Sequence, residues 1–333
     1  MVRSLAVLAP ALAAFLPAAV AHPSVAAGVE SRTVAPLSCQ LFGDLVSPWW
    51  LKACQSYLDL VVIDLRSADE YAAGHIPGSV SLPFEPVSAW SQMEGSLLLN
   101  MPPSAELFAT LGSIGVSNPS PATKIVLVNG VADPAFPQAA SPRVATTIKY
   151  AGISEGRVAV LNGGFLAWVE EAYPTTTVVP TPAAKTYTAV ENRSFLVNTE
   201  YVIANINKKS QGIYLIDGRG TAVYNGSVLE QWASRPGHIP SAVSLPAPNI
   251  WNADGSWKNP LELMAQLRGA VGTVGILQAR TTGKFVVYCG VGGYASSWYF
   301  TLTRILGFEN VVMYDGSYQE YSSYANGTLP VEV

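Results

Sequence analysis

The chain has 333 residues, of which 49% are hydrophobic and 13% are charged, so it is long enough to bury one large core or two medium ones. This composition excludes an intrinsically disordered chain. The formal net charge is −4 and the sequence has no run of Lys or Arg, which argues against nucleic acid as a partner because phosphate binding needs clustered positive charge. Small molecules are the expected substrates.

The first 21 residues have the pattern of a secretory signal peptide. Arg3 supplies a short positive start, residues 5–20 are apolar, and Ala19 and Ala21 have the A-x-A spacing of a cleavage site. A membrane anchor is the alternative, but the apolar stretch is short and contains two prolines. We therefore expect cleavage after Ala21 and a secreted, extracellular protein with no membrane-spanning segment.

The cysteines and the glycosylation sequons bear on that expectation. Asn-x-Ser/Thr triplets begin at Asn192, Asn225 and Asn326 and fit a secreted glycoprotein, although such triplets also arise by chance. In an oxidising compartment Cys39 and Cys54 would be free to pair, which leaves Cys289 as the odd thiol. An odd cysteine in a secreted protein indicates a reactive one.

One pattern occurs twice along the chain. Residues 60–84 and 213–246 each contain an apolar run, Asp-x-Arg, a helical stretch, Gly-His-Ile-Pro and a second β-like run. At a similar offset, "KIVLVNG" is repeated as "KFVVYCG", and "VAVLNGGFLAW" as "VVMYDGSYQEY". These repeats predict a duplicated domain, with a first copy at 44–173, a Pro- and Thr-rich linker at 174–194 and a second copy at 195–333.

Each copy alternates short β-branched runs with helical stretches. The runs are residues 61–63, 125–128 and 158–161 in the first copy and residues 213–216, 285–288 and 311–314 in the second. Continuous apolar strands separated by helices predict an α/β fold in which each domain is a parallel sheet with helices on both faces. In such sheets the site lies at the carboxyl ends of the strands, and Cys289 directly follows one of them.

The loop that begins at Cys289 has the sequence Cys-Gly-Val-Gly-Gly-Tyr and no charged side chain. Its glycines allow backbone conformations that turn successive N–H groups inward, at the start of an apolar helical stretch. We expect this nest to stabilise a thiolate and to lower the pKa of Cys289. The alternative is a buried cysteine beside glycines that only make the turn.

The combined pattern resembles the tandem-domain rhodanese family of sulfurtransferases, and the resemblance covers residues 46–323. In that family the first domain is typically inactive, and the second carries a six-residue loop that starts with a persulfide-forming cysteine. Here Asn129 stands in the first copy where Cys289 stands in the second. The resemblance implies that Cys289 accepts a sulfane sulfur from a small donor such as thiosulfate and passes it to cyanide or a thiol, without a cofactor or a metal.

The resemblance also implies roles for residues around Cys289. Arg219, in Asp-Gly-Arg, would bind the anionic donor, since a fixed and always charged fork suits its oxygens. An ion pair with Asp217 or Glu230 is the structural alternative for this arginine. The other substrate-binding residues would be Gly290, Val291, Gly292, Gly293 and Tyr294.

Two residues of the first copy are candidate accessory groups. Asp64 and His75 match an aspartate and a histidine that approach the catalytic loop in mercaptopyruvate-using relatives. There they act with a serine at the third loop position, which is Val291 in this chain. Because His75 and His238 occupy equivalent Gly-His-Ile-Pro turns, bonding to backbone at a turn is the alternative for at least one of them.

The loop departs from both main subfamilies, so the donor stays open between thiosulfate and 3-mercaptopyruvate. Thiosulfate-preferring members often carry basic residues at the second and third loop positions, and mercaptopyruvate-preferring members typically have Cys-Gly-Ser-Gly-Val-Thr. A binding module that has kept the fold and lost turnover is a further alternative, motivated by the uncharged loop. A phosphatase is disfavoured, because its Cys-x5-Arg loop needs an arginine where this chain has Ala295.

Overall fold

The computed structural model describes residue 39 and residues 42–56, 59–118, 123–132 and 135–333. The predicted signal peptide lies outside the described residues. Within these ranges, the strands are β1 (Leu45–Val46), β2 (Leu60–Asp64), β3 (Val80–Ser81), β4 (Gln92–Glu94), β5 (Leu97–Asn100), β6 (Lys124–Val128), β7 (Val158–Leu161), β8 (Leu196–Val197), β9 (Ile213–Asp217), β10 (Val243–Ser244), β11 (Lys284–Tyr288) and β12 (Val311–Tyr314).

Helices connect most of these strands. The α-helices in the same ranges are α1 (Pro48–Cys54), α2 (Ala68–Ala73), α3 (Ser104–Ser113), α4 (Phe136–Tyr150), α5 (Gly164–Glu170), α6 (Thr199–Asn205), α7 (Thr221–Tyr224), α8 (Pro260–Ala279), α9 (Gly293–Phe300) and α10 (Ser317–Gly327). Short 3₁₀ turns lie at Glu155–Arg157, Lys209–Gln211 and Ala247–Ile250, and a π-helical turn, Thr301–Ile305, extends α9.

Local sequence fixes where several helices begin. Before α8, Asn259 and Glu262 form a reciprocal capping box, and Pro260 occupies the first turn, where its missing N–H costs nothing. Ser67 and Glu70 form the same device before α2. The start of α9 is different, because its N-cap is Gly292 in the left-handed region, with φ +94°. The helix that follows the Cys289 loop therefore depends on a glycine rather than on a capping side chain.

The strands form two parallel five-stranded sheets with the same order of equivalent strands. The first sheet has the order β1-β7-β6-β2-β3, and the second has the order β8-β12-β11-β9-β10. Every pairing within the two sheets is parallel, while β4 and β5 form a separate antiparallel pair. The predicted α/β fold, with a parallel sheet flanked by helices in each of two copies, is confirmed.

Burial on both faces explains why the strands are continuously apolar. In β11, Phe285 and Val287 belong to a central core cluster, whereas Val286 and Tyr288 belong to a cluster on the other face. The central cluster also takes in Ile125 of the first sheet, and α4 of the first copy packs against α9 of the second. The two copies thus share a core, which brings α4 behind the loop that begins at Cys289.

Several smaller features can be located on this fold. The structure pairs Cys39 with Cys54 in a disulfide, as an oxidising compartment would allow, and Cys289 is the free, buried cysteine of the chain. Asn225 and Asn326 are exposed, and Asn192 is half-buried in the linker. None of the helices in the described part of the chain is long and apolar enough to cross a membrane.

Candidate active site

Cys289 lies at the carboxyl end of β11, the central strand of the second sheet. Its Sγ accepts a hydrogen bond from the backbone N–H of Gly292 at 3.1 Å. Its own N–H donates to Ser317 Oγ at 3.2 Å, and its carbonyl accepts from the N–H of Tyr318 at 2.8 Å. The loop is therefore held between the end of β12 and the first turn of α10, with the sulfur turned toward the loop's own N–H groups.

Burial raises the pKa of the Cys289 thiol, so the expectation of a lowered pKa is wrong for this closed site. The residue is only 2% exposed, and the nearby Glu230 carboxylate adds repulsion. The N–H groups of Ala295, Val291 and Gly292 lower the pKa, as a nest should, but the loss of hydration outweighs them. The closed site favours the neutral thiol.

Arg219 makes the ion pair that was the alternative to donor binding. Its Nη2 donates to Asp217 Oδ2 at 2.6 Å and to the Gly237 carbonyl at 2.8 Å, and its Nε donates to Asp217 Oδ1 at 3.0 Å. Arg66 in the first copy repeats these bonds to Asp64 and Gly74, with Nη2 2.6 Å from Asp64 Oδ2. Since the first copy, which has Asn129 in place of the loop cysteine, keeps the same pair, these contacts stabilise the turn in both copies.

Glu230 and Trp232 cover the Cys289 loop. Trp232 Nε1 donates to Glu230 Oε2 at 3.0 Å, and the same oxygen lies 3.7 Å from Arg219 Nη1. A Cβ added at Gly290 would lie 2.4 Å from Trp232 Nε1 and 2.7 Å from Glu230 Oε2, so a side chain at this position would force the pair to move. Of the other loop positions, Val291 and Gly293 are buried, and Tyr294 is half-buried against the central core.

Asp64 and His75 are buried in the first copy. Asp64 binds Arg66, while His75 stacks on Tyr71 with ring centroids 3.7 Å apart and lies 2.9 Å from the Tyr71 carbonyl through Nδ1. His238 stacks on Tyr224 at the same centroid separation and bonds its carbonyl. The matched pairs favour a turn-stabilising role for His75, and its part in a catalytic relay stays a prediction.

Arg143, on α4, reaches the Cys289 loop from the first copy. Its side chain is fully buried, its Nη1 donates to Asp315 Oδ1 at 2.5 Å, and its Nη2 donates to the Leu99 carbonyl. A Cβ on Gly292 would lie 3.1 Å from Arg143 Nη1 and 3.0 Å from Asp315 Oδ1. Arg143 is absent from the predicted site residues, although a lone arginine among the small and apolar residues of α4 is a signal that the sequence carries.

Gln319 makes a second connection between the copies. Its side-chain amide donates to the Leu98 carbonyl and accepts from the Leu98 N–H, both at 2.9 Å. The backbone N–H of Gln319 donates to the Gly290 carbonyl at 3.0 Å. The β5 strand of the first copy is thereby joined, through one residue of α10, to the loop that carries Cys289.

A cleft of about 970 Å³ opens on the far side of Asp315. Its lining includes Asp315 and Gly316 from the second copy and Asn100 and Met101 from the first, and Cys289 is not among its lining residues. In the described ranges, no group of His, Cys, Asp and Glu side chains is arranged to hold a metal ion.

Gly292→Ala should damage the site more than the fold. Alanine at φ +94° costs roughly 1–2 kcal/mol, and its methyl group would crowd Asp315 and Arg143. We expect the N–H to turn away from Cys289 Sγ and the kcat/KM of any reaction in which this sulfur is the nucleophile to fall about 100-fold, the usual cost of one lost backbone donor. Gly269→Ala on α8, where a Cβ meets nothing within 4 Å, is the matched control and should leave turnover unchanged. Equal rates for both variants would contradict a role for the Gly292 N–H.

Comparison with protein families agrees with the duplicated architecture. The family model described as "Rhodanese-like domain" matches residues 47–171 and 198–324. The chain belongs to the rhodanese-like domain family. The first match contains β2, β6 and β7. The second match contains the equivalent strands β9, β11 and β12 and the Cys289 loop.

Curated relatives of this rhodanese-like chain cover most of its length. A putative thiosulfate sulfurtransferase of Synechococcus elongatus is 28% identical over 90% of this chain and 88% of its own length. The sulfur carrier protein TtuD of Thermus thermophilus is 30% identical over 84% of this chain and 93% of its own. The homology supports an enzyme of the sulfurtransferase class.

Solved structures repeat the fold at lower identity. The wild-type structure of EanB superposes with a TM-score of 0.71 and 21% identity, over 87% of this chain and 69% of that one. An identity this low shows the shared fold and carries no information on the substrate.

Proposed function

We propose that the protein is a sulfurtransferase that moves a sulfane sulfur from thiosulfate, or a related donor, to cyanide or a thiol through a persulfide on Cys289. The observation that carries this proposal is the Gly292 N–H that points at Cys289 Sγ, at the carboxyl end of the central strand of the second copy. In the first copy the equivalent position is Asn129, whose side chain is used in bonds to Ser141 and to the Gly130 carbonyl. One copy therefore supplies the nucleophile and the other supports it.

In the first half-reaction, the Cys289 thiolate attacks the sulfane sulfur of the donor. An S–S bond forms on Cys289, the bond between the sulfane sulfur and the sulfonate breaks, and sulfite leaves with the electron pair. The persulfide then gives its outer sulfur to cyanide or to a thiolate, and the electron pair of the broken S–S bond returns to Cys289. The N–H of Gly292 is positioned to stabilise the negative charge on sulfur before and after this transfer.

The relatives support thiosulfate as the donor to test first, since the Synechococcus and Rattus norvegicus proteins carry that substrate in their names. 3-Mercaptopyruvate is the second candidate. Its relay would need a hydroxyl at the third loop position, where this chain has the buried Val291. Arg219, already paired with Asp217, would contribute its remaining Nη1 to a bound anion.

Intact mass spectrometry of the protein after exposure to each donor tests the proposal. We expect the mass of one added sulfur atom after incubation with thiosulfate, removed by cyanide or dithiothreitol, and located at Cys289 by peptide mapping. Addition with 3-mercaptopyruvate but not with thiosulfate would reassign the donor. No addition with either donor would contradict sulfur transfer and would favour a binding module that has kept the rhodanese-like fold.

A further inference from the structure

The covering segment, which we define as residues 225–236, is specific to the second copy. In the first copy, Arg66 bonds the carbonyl of Gly74, eight residues further along. In the second copy, Arg219 bonds the carbonyl of Gly237, eighteen residues further along. The longer connection contains Glu230 and Trp232, which lie on the Cys289 loop.

The equivalent place in the first copy is open. A cavity of about 230 Å³ there is lined by Arg66, Gly130, Phe84 and Phe136, among others. Gly130 corresponds to Gly290, but a Cβ added to Gly130 meets nothing closer than 3.7 Å, whereas one on Gly290 meets Trp232 and Glu230 within 2.7 Å. The covering segment therefore occupies the space above Gly290 whose equivalent above Gly130 is open.

Hydrogen bonds anchor the covering segment near both of its ends. Among the bonds described, none joins the backbone of the segment to the Cys289 loop. Val228 N–H donates to the Ala222 carbonyl at 2.9 Å, and Ser234 N–H donates to Ser322 Oγ at 3.0 Å. Between these anchors, Glu230 is held through its carboxylate, by Trp232 Nε1 and by Arg219 Nη1. The Glu230 carboxylate is therefore the polar contact that joins the middle of the covering segment to Arg219.

The charges around Glu230 are unbalanced. Arg219 is the cation facing it, but Asp217 already neutralises that arginine through three hydrogen bonds at 3.0, 3.1 and 2.6 Å. Burial raises the pKa of Glu230, and the Glu230 charge in turn raises the pKa of the Cys289 thiol. With Glu230 ionised, the closed site is unfavourable both for a thiolate and for an anionic donor.

We propose that Glu230 occupies the place of the donor's anionic group in the closed site and determines which charge of ligand reaches Cys289. Before an anion can bind Arg219 Nη1, this carboxylate must be displaced by the anion or protonated from solvent, whereas an uncharged ligand meets no such competition. The inference deepens the proposed function, on which its sulfur-donor chemistry rests. Its charge selection can be measured without any sulfur transfer.

Alkylation with a matched pair of reagents tests this charge selection. Iodoacetate is anionic and iodoacetamide is neutral, and both are attacked by the thiolate with loss of iodide. Because Cys39 and Cys54 are paired, Cys289 is the free cysteine that reacts. The ratio of the two rates cancels the ionisation of the thiol and any opening of the covering segment, so its change from one variant to another reports the charge at the site.

Glu230→Gln should raise the ratio of iodoacetate to iodoacetamide rates about tenfold, in the range expected when a like charge is removed from within 4–6 Å. Glu230→Asp keeps the charge and should keep the ratio close to that of the wild type. Glu309→Gln is the matched control, since Glu309 is exposed in the turn before β12, at the opposite edge of the sheet, and its ratio should not change.

An unchanged ratio in Glu230→Gln would overturn the inference. So would an equal rise of both rates, because that result would mean that Glu230 acts only on thiol ionisation. If Glu230→Gln unfolds, Glu230→Ala removes the same charge and should also raise the ratio, and an unchanged ratio in that variant would contradict the inference. A raised ratio in a protein that forms no Cys289 persulfide with either donor would uphold the charge selection and contradict the proposed sulfurtransferase activity.

Discussion

Cys289→Ser should lower cyanide-dependent turnover of thiosulfate at least about 1,000-fold, as loss of a covalent nucleophile does in other enzymes. A serine hydroxyl is not ionised at any pH that the protein tolerates, so it cannot attack the sulfane sulfur as a thiolate does. Its oxygen can still accept the Gly292 N–H that now binds Sγ. The variant should therefore fold normally, which circular dichroism and thermal unfolding would verify beside the thiocyanate assay.

The pH dependence of the wild type provides a second test of the same nucleophile. Since burial and Glu230 raise the pKa of Cys289, the rate of single-turnover persulfide formation should keep rising with pH, about tenfold per pH unit, beyond the range where an ordinary cysteine is already ionised.

The same raised pKa means that the folded state holds the thiol proton of Cys289 more tightly than the unfolded state. Stability that is present below the ordinary cysteine pKa should then be lost as pH rises, and Cys289→Ser should remove this loss. Thiocyanate formation by the serine variant at the wild-type rate would contradict the assignment of Cys289.

The position of the cysteine followed from the sequence because it depends on local rules. An apolar run of five residues, a cysteine and a set of glycines is enough to predict a strand, a turn and a helix start. The duplication added the comparison between Asn129 and Cys289, which no single copy offers. Parallel order of the strands then required the loop to lie at the carboxyl edge of the sheet, where the structure has it.

The pKa of the cysteine could not be predicted in the same way, because burial depends on contacts that are distant in sequence. Glu230 and Trp232 lie far upstream of Cys289 in a stretch with no helical or strand periodicity. Nothing in that stretch indicates that it folds over Gly290, so the sequence shows the N–H groups of the loop but not the side chains that cover them. The N–H groups do lower the pKa of Cys289, as predicted. The predicted direction of the overall shift is wrong, because desolvation raises the pKa by more than the N–H groups lower it.

Arg143→Met should reduce the free energy of unfolding by about 3 kcal/mol, the lower end of the usual effect of removing one partner of a buried ion pair, because Asp315 also lines the cleft. Methionine fills much of the volume of the buried arginine side chain but leaves Asp315 Oδ1 without its cation and the Leu99 carbonyl without a donor. Asp315 keeps only the Met101 N–H, at 3.1 Å on the other oxygen, among the bonds described. Urea denaturation with matched m-values would measure the loss.

A double-mutant cycle separates the pair from the packing around it. Asp315→Asn removes the negative charge, so adding it to Arg143→Met should cost less than it costs in the wild type, with a coupling energy of about 1–3 kcal/mol. Arg143→Lys keeps the charge but has no planar fork with which to bind Asp315 and Leu99 together, and it should be intermediate. Because Arg143 belongs to the first copy and Gly292 to the loop of the second, the loss of stability should be accompanied by slower persulfide formation. If Arg143→Met has the same urea midpoint of unfolding as the wild type, the ion pair is not the connection between the two copies. The first copy, which lacks the nucleophile, would then support the second in some other way.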